Sequence, residues 1–120
     1  MAYKKLAVLT NSLYRKTLSG SINWEETALS DVYQTSLANY SLRISLDAAC
    51  VRITIVNEVG SEIETFVDED LSSEWFDEIG VDEGPYTIMK SMYEVARRRA
   101  LGSEQAINDI LRELDDDLPF

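Results

Sequence analysis

The chain has 120 residues, 45% hydrophobic and 28% charged, which is enough for one domain whose core needs no disulfide or metal. Its 22 acidic and 11 basic residues give a formal net charge of −11, which argues against direct binding to nucleic acid or to an anionic membrane surface. Histidine, the commonest acid–base catalyst, is missing, and the single cysteine cannot form an internal disulfide. We therefore expect no cofactor and a reducing, cytoplasmic location.

The chain begins with a helical pattern. Leu6, Leu9 and Leu13 recur on one face, so a helix is predicted over residues 3–18. Polar residues from Thr10 onward interrupt the first apolar run before it reaches signal-peptide length. No stretch approaches the roughly 18 apolar residues of a membrane span, so no membrane association is expected.

Residues 22–67 show the period-2 alternation of short strands. In residues 40–46, Leu42 and Ile44 fall on one face and polar residues on the other, as in a strand with one face in a core. The intervening turns are short, which favours an antiparallel meander. The strands are predicted at 22–27, 32–37, 40–46, 51–56 and 62–67.

The last third of the chain reads as helical. In the acidic connector, residues 68–85, Asp70 or Ser72 could cap a short helix that ends at Gly80. Two further helices are predicted over residues 86–101 and 103–114, the second with Ile107, Ile110, Leu111 and Leu114 at i, i+3, i+4 and i+7. Aspartates after position 114 would oppose the helix dipole, so a solvated acidic tail is expected at about 115–120.

These elements predict a single α+β domain over residues 1–120. It has an N-terminal helix, a four- to five-stranded antiparallel meander sheet and two C-terminal helices packed on one sheet face. A sheet buried on one face needs a covering layer, and the flanking helices can supply it.

The acidic connector belongs to a longer acidic block. Residues 57–86 contain eleven carboxylates and neither lysine nor arginine. A calcium loop starting at Asp68 fails the ligand pattern, because loop position 6 is Ser73 rather than glycine and position 12 is Ile79 rather than glutamate. The block is therefore either a solvated face or a docking surface for a basic protein, including mimicry of DNA phosphates.

Arginines and tryptophans supply the other candidates. Consecutive helical positions point about 100° apart, so residues 97–99 cannot form one flat basic patch. Glu94 is spaced to pair with Arg98, and Arg99 lies close to the apolar stripe. Trp24 is expected where the first helix meets the sheet. The candidate partner-binding residues are Asp68, Glu69, Asp70, Glu74, Trp75, Asp77, Glu78, Arg97 and Arg98.

Three motifs carry a resemblance. They read Leu18-x-Gly20-x-Ile22-x-Trp24-Glu25, then Tyr33-Gln34-x-x-Leu37-x-Asn39-Tyr40-Ser41-Leu42-Arg43-Ile44, and then Tyr93-Glu94-x-Ala96-Arg97-Arg98-Arg99-Ala100-Leu101-Gly102. Over nearly its whole length the chain resembles short, uncharacterised bacterial and phage-associated proteins of about 120 residues. That group has no established activity, so the resemblance implies one domain and supplies no catalytic residue.

No motif in the sequence identifies a reaction. The interpretation we favour is a non-enzymatic acidic protein-interaction domain of bacterial or phage origin, with a basic protein as its partner. One alternative is an inhibitor that mimics nucleic acid and binds a DNA- or RNA-binding protein. Another is a small-ligand binder or enzyme that uses carboxylates. Homodimerisation through the sheet edges, or through an outer face carrying Val56 and Phe66, is also open.

Overall fold

The computed structural model describes residues 3–114, and the tail expected at 115–120 lies outside the described residues. The predicted α+β architecture is confirmed. The helices are α1 (Tyr3–Leu18), α2 (Ser73–Glu78), α3 (Pro85–Leu101) and α4 (Ser103–Leu114). The strands are β1 (Glu25–Glu26), β2 (Val32–Leu37), β3 (Tyr40–Asp47), β4 (Cys50–Val56) and β5 (Glu62–Val67), and a 3-10 turn, Asp68–Asp70, follows β5.

The five strands form one antiparallel sheet in the order β1-β2-β3-β4-β5, which is the predicted meander. Ile44 pairs with Ile53 across β3 and β4, and both side chains are fully buried on the core face. Two-residue loops close the hairpins after Leu37 and Asp47. These tight turns require left-handed backbone, at φ 55° for both Ala38 and Ala48.

The first strand is shorter than predicted. The sequence places a strand over residues 22–27, but pairing with β2 is limited to Glu25 and Glu26. Ile22 and Trp24 are instead buried in the core, with Trp24 against α1. Burial of these two side chains draws the backbone away from the sheet edge, which ends the ladder.

The outer sheet face is less apolar than expected. Phe66 lies on the core face opposite Ile53 and is 2% exposed. Val56 is also 2% exposed, next to a register shift between β4 and β5. Neither side chain is available for self-association, which corrects the expectation for the outer face; homodimerisation through the sheet edges stays a prediction.

Helix α3 is the central element of the covering layer. It contacts β1 through β4 on one side and α1 on the other. Ile88, Met89 and Met92 are completely buried, as expected for a helix enclosed on two sides. Tyr93 turns toward the sheet, with its ring centroid 5.8 Å from that of Tyr33.

Thr17 joins three elements near the end of α1. Its hydroxyl accepts a hydrogen bond from the Trp24 indole at 3.0 Å, and its carbonyl accepts one from the Arg99 guanidinium of α3. The cation also lies at the C-terminal end of α1, where the helix dipole favours positive charge. The expected position of Trp24, where the first helix meets the sheet, is confirmed.

Helix α4 departs from the predicted packing. It has the predicted bounds, but none of its residues is buried, whereas the sequence suggested that both C-terminal helices cover the sheet. Gly102, at φ 68°, ends α3 with left-handed backbone and starts α4 in a new direction. The Cα radius of gyration is 16.3 Å, whereas a compact domain of this length has roughly 13.6 Å. The difference fits a helix that projects from the core.

A matched pair of substitutions tests this difference in burial. Ile88→Ala in α3 removes a side chain that is 0% exposed, so it should lower the free energy of unfolding by about 2–5 kcal/mol. Ile110→Ala in α4 truncates a side chain that is 58% exposed and should change it by less than about 0.5 kcal/mol. Urea denaturation of both variants measures the two values, and similar losses would contradict the fold.

Candidate functional site

The carboxylates of the 3-10 turn serve the fold. Asp68 is 8% exposed, and its Oδ1 accepts a hydrogen bond from the Val51 backbone N–H at 2.8 Å. This interaction continues the β4–β5 ladder one residue beyond the end of β5. The Asp70 Oδ2 accepts a hydrogen bond from the Val67 backbone N–H at 2.9 Å. Asp68 and Asp70 therefore fasten the chain where it leaves the sheet.

Glu69 faces the cysteine. The Cys50 thiol donates to the Glu69 Oε1 at a sulfur–oxygen distance of 2.9 Å. This hydrogen bond, desolvation and the negative charges of Glu69, Asp68 and Asp47 raise the pKa of Cys50 to about 11. The neutral thiol is thus the stable form at physiological pH, and it is a poor nucleophile.

Helix α2 presents the remaining connector residues. Ser72 caps it by accepting from the Glu74 backbone N–H, which confirms one of the two predicted caps. Trp75 is half-buried against the core, so its ring is largely occupied by packing. Glu78 forms an ion pair with Lys4 of α1. Glu74 and Asp77 are exposed, and neither side chain forms an ion pair within residues 3–114.

The three arginines of α3 have separate surroundings. Arg99 is bound to the end of α1, rather than to an acid of the connector. Arg98 is exposed and does not pair with Glu94, whose carboxylate lies 2.7 Å from Lys90 Nζ instead. The predicted Glu94–Arg98 pair is therefore wrong, because Lys90 lies one turn away on the other side and takes its place. Arg97 lines a cleft.

That cleft, of about 260 Å³, lies between α3 and the loop from β1 to β2. Arg97 and Leu101 line it from α3, Glu26 lines it from the end of β1, and Asp31 lines it from the loop. Burial raises the pKa of Tyr93, with the nearby Asp31 charge adding to the effect, and the Tyr93 hydroxyl lies 3.5 Å from the Asp31 carbonyl. One guanidinium beside two carboxylates selects neither an anionic nor a cationic ligand.

The predicted candidates thus do not converge on one site. The turn and the cysteine engage Asp68, Glu69 and Asp70. Packing or an ion pair engages Trp75 and Glu78. The remaining four stay at the surface: Glu74, Asp77, Arg97 and Arg98. Within residues 3–114, no group of three or more Asp, Glu or Cys side chains is arranged to hold a metal ion. Nor is any helix in that range long and apolar enough to cross a membrane.

The sequence-based candidates omit an exposed apolar helix face, which lies on α4. We call Ile107, Ile110, Leu111 and Leu114 the α4 stripe. Ile107 is 48% exposed, Ile110 58% and Leu114 75%, and Leu111 is half-buried. Their spacing was visible in the sequence, but it was assigned to the core. The stripe is therefore our candidate functional site, because soluble domains rarely leave a contiguous apolar helix face open without a binding role.

Comparison with known proteins gives no relative to guide the assignment: no family model, no curated protein and no solved structure matches this chain.

The division between structural and surface carboxylates can be tested by alanine substitution. Asp68→Ala should lower the free energy of unfolding by about 1–3 kcal/mol, because it leaves the buried Val51 N–H without an acceptor. Asp68→Asn keeps an oxygen acceptor and should lose less. The control, Asp77→Ala, removes an exposed carboxylate and should change stability by less than about 0.5 kcal/mol. Equal losses for Asp68→Ala and Asp77→Ala in urea denaturation would contradict the assignment.

Proposed function

We propose that this protein is a non-enzymatic, acidic interaction domain that docks on a basic protein partner through α4. The observation that carries the proposal is the α4 stripe, a regular apolar face on a helix that buries none of its own residues. An amphipathic helix that lays its apolar face in a groove is a recurrent mode of protein recognition.

The low intrinsic stability of α4 supports a role in binding. It has 12 residues, and isolated helices of this length are marginally stable in water. In this fold, packing against α3 adds little, since the apolar side of α4 remains open. A partner that covers the stripe would supply the burial that most protein helices obtain from their own core.

Charge supports a basic partner. The formal net charge is −11, and of the connector acids Glu74 and Asp77 stay exposed without ion pairs within residues 3–114. Such a surface accelerates the approach of a positively charged protein and repels nucleic acid and other acidic proteins.

The proposal includes a setting. A cytoplasmic location is supported by the cysteine, whose thiol is hydrogen-bonded to Glu69 rather than paired in a disulfide. A bacterial or phage origin is supported by the sequence resemblance described above.

Two variants of equal charge test the proposal. Ile110→Asp and Asn108→Asp each add one carboxylate to α4, but Ile110 belongs to the stripe and Asn108 points about 160° away from Ile110 around the helix. Wild type and both variants, immobilised at equal density, are compared by quantitative affinity capture from extracts of cells that express the protein. A photocrosslinker at position 114 reports which captured protein touches the stripe.

We expect a basic protein that crosslinks to position 114, is retained by wild type and Asn108→Asp, and is depleted at least tenfold by Ile110→Asp. The circular dichroism of the core should be unchanged in both variants, because no residue of α4 is fully buried. If captured proteins are identical for all three baits, or none crosslinks, the proposal fails.

A further inference from the structure

We infer that α4 recognises an apolar groove whose two long edges carry lysine or arginine. This inference rests on the proposed function and specifies the chemistry of the partner. It follows from the charges of α4, which are arranged differently beside the stripe and on the side of the helix away from the stripe.

Both borders of the stripe carry glutamate. Residues seven apart on a helix lie within about 20° of each other around the axis. Glu104 precedes Leu111 by seven and therefore borders the stripe on that side. On the other side, Ala106 lies beside Ile110 and extends the apolar face, and Glu113 follows Ala106 by seven and borders that edge. Both glutamates are exposed, and neither forms an ion pair within residues 3–114.

The one cation of α4 lies away from these borders. Arg112 is two residues from Ile110, so it points to the opposite side of the helix. There its Nη1 lies 3.6 Å from the Asp109 Oδ1, which also accepts a hydrogen bond from the Gln105 side chain at 2.8 Å. On the side of α4 away from the stripe, Arg112 therefore neutralises part of the acidic charge. The stripe itself lies between two carboxylates without such a partner.

A second copy of this chain does not complement such a surface. Pairing two α4 stripes would bring glutamate borders together, on chains that each carry a net charge of −11. A groove encloses the helix on three sides and can place cations along both glutamate borders.

Synthetic helical peptides provide a defined probe. One peptide carries leucine and isoleucine at its a and d heptad positions and lysine at the flanking e and g positions. The control peptide keeps the same apolar residues and carries glutamate at e and g. Binding of each to the full chain is measured by fluorescence anisotropy, and the oligomeric state of the chain by sedimentation equilibrium.

We expect the chain to be monomeric and to bind the lysine peptide at least tenfold more tightly than the glutamate peptide. Ile110→Asp should abolish binding although it makes the protein more negative, which separates docking on the stripe from general electrostatic attraction. Glu104→Gln with Glu113→Gln should reduce the preference at least threefold, while the remote control, Glu62→Gln with Glu64→Gln, should leave it unchanged.

The other outcomes overturn the inference in different ways. Equal binding of both peptides, with loss on Ile110→Asp, refutes the basic edges and leaves α4 as a docking helix. Absence of binding to either peptide refutes both the inference and the proposed function. A dimer that Ile110→Asp dissociates shows that the stripe is covered by a second copy of this chain.

Discussion

The enclosure of α3 on two sides is the constraint on which the rest of the structure depends. Ile88, Met89 and Met92 have no exposed surface, because the sheet covers one side of α3 and α1 the other. The same helix fixes the end of α1 through the Arg99–Thr17 hydrogen bond. A single helix therefore joins the sheet to α1, and its contacts extend from β1 to β4.

This arrangement leaves no place in the core for α4. The chain turns at Gly102, and the following helix carries a regular apolar stripe that the domain does not cover. The carboxylates are divided in a similar way. Asp68 and Asp70 satisfy backbone donors where β5 ends, while Glu104 and Glu113 remain unpaired within the described residues. Uncovered apolar side chains and unpaired carboxylates therefore occur side by side on α4.

Local sequence patterns predicted most of the fold, because the periods of helices and strands are properties of neighbouring residues. α1, α3, α4 and four of the five strands fell within one residue of their predicted bounds. The uses of particular residues were less predictable. Asp68 bonds to a residue 17 positions away, and Lys90 competes with Arg98 for Glu94. Above all, the amphipathic period of α4 predicts an apolar face, but it does not show whether the domain itself or a partner covers that face.

The central claim is that α4 is a formed but uncovered helix attached to a rigid core. Hydrogen exchange of the isolated protein, followed by mass spectrometry of peptides from α3 and α4, tests it most directly. Amides of α3 should exchange only with global unfolding, whereas those of residues 107–114 should exchange many orders of magnitude faster through local opening. Equal protection of α3 and α4 in the monomer would show that the domain itself stabilises α4 and would contradict its proposed role as a docking helix.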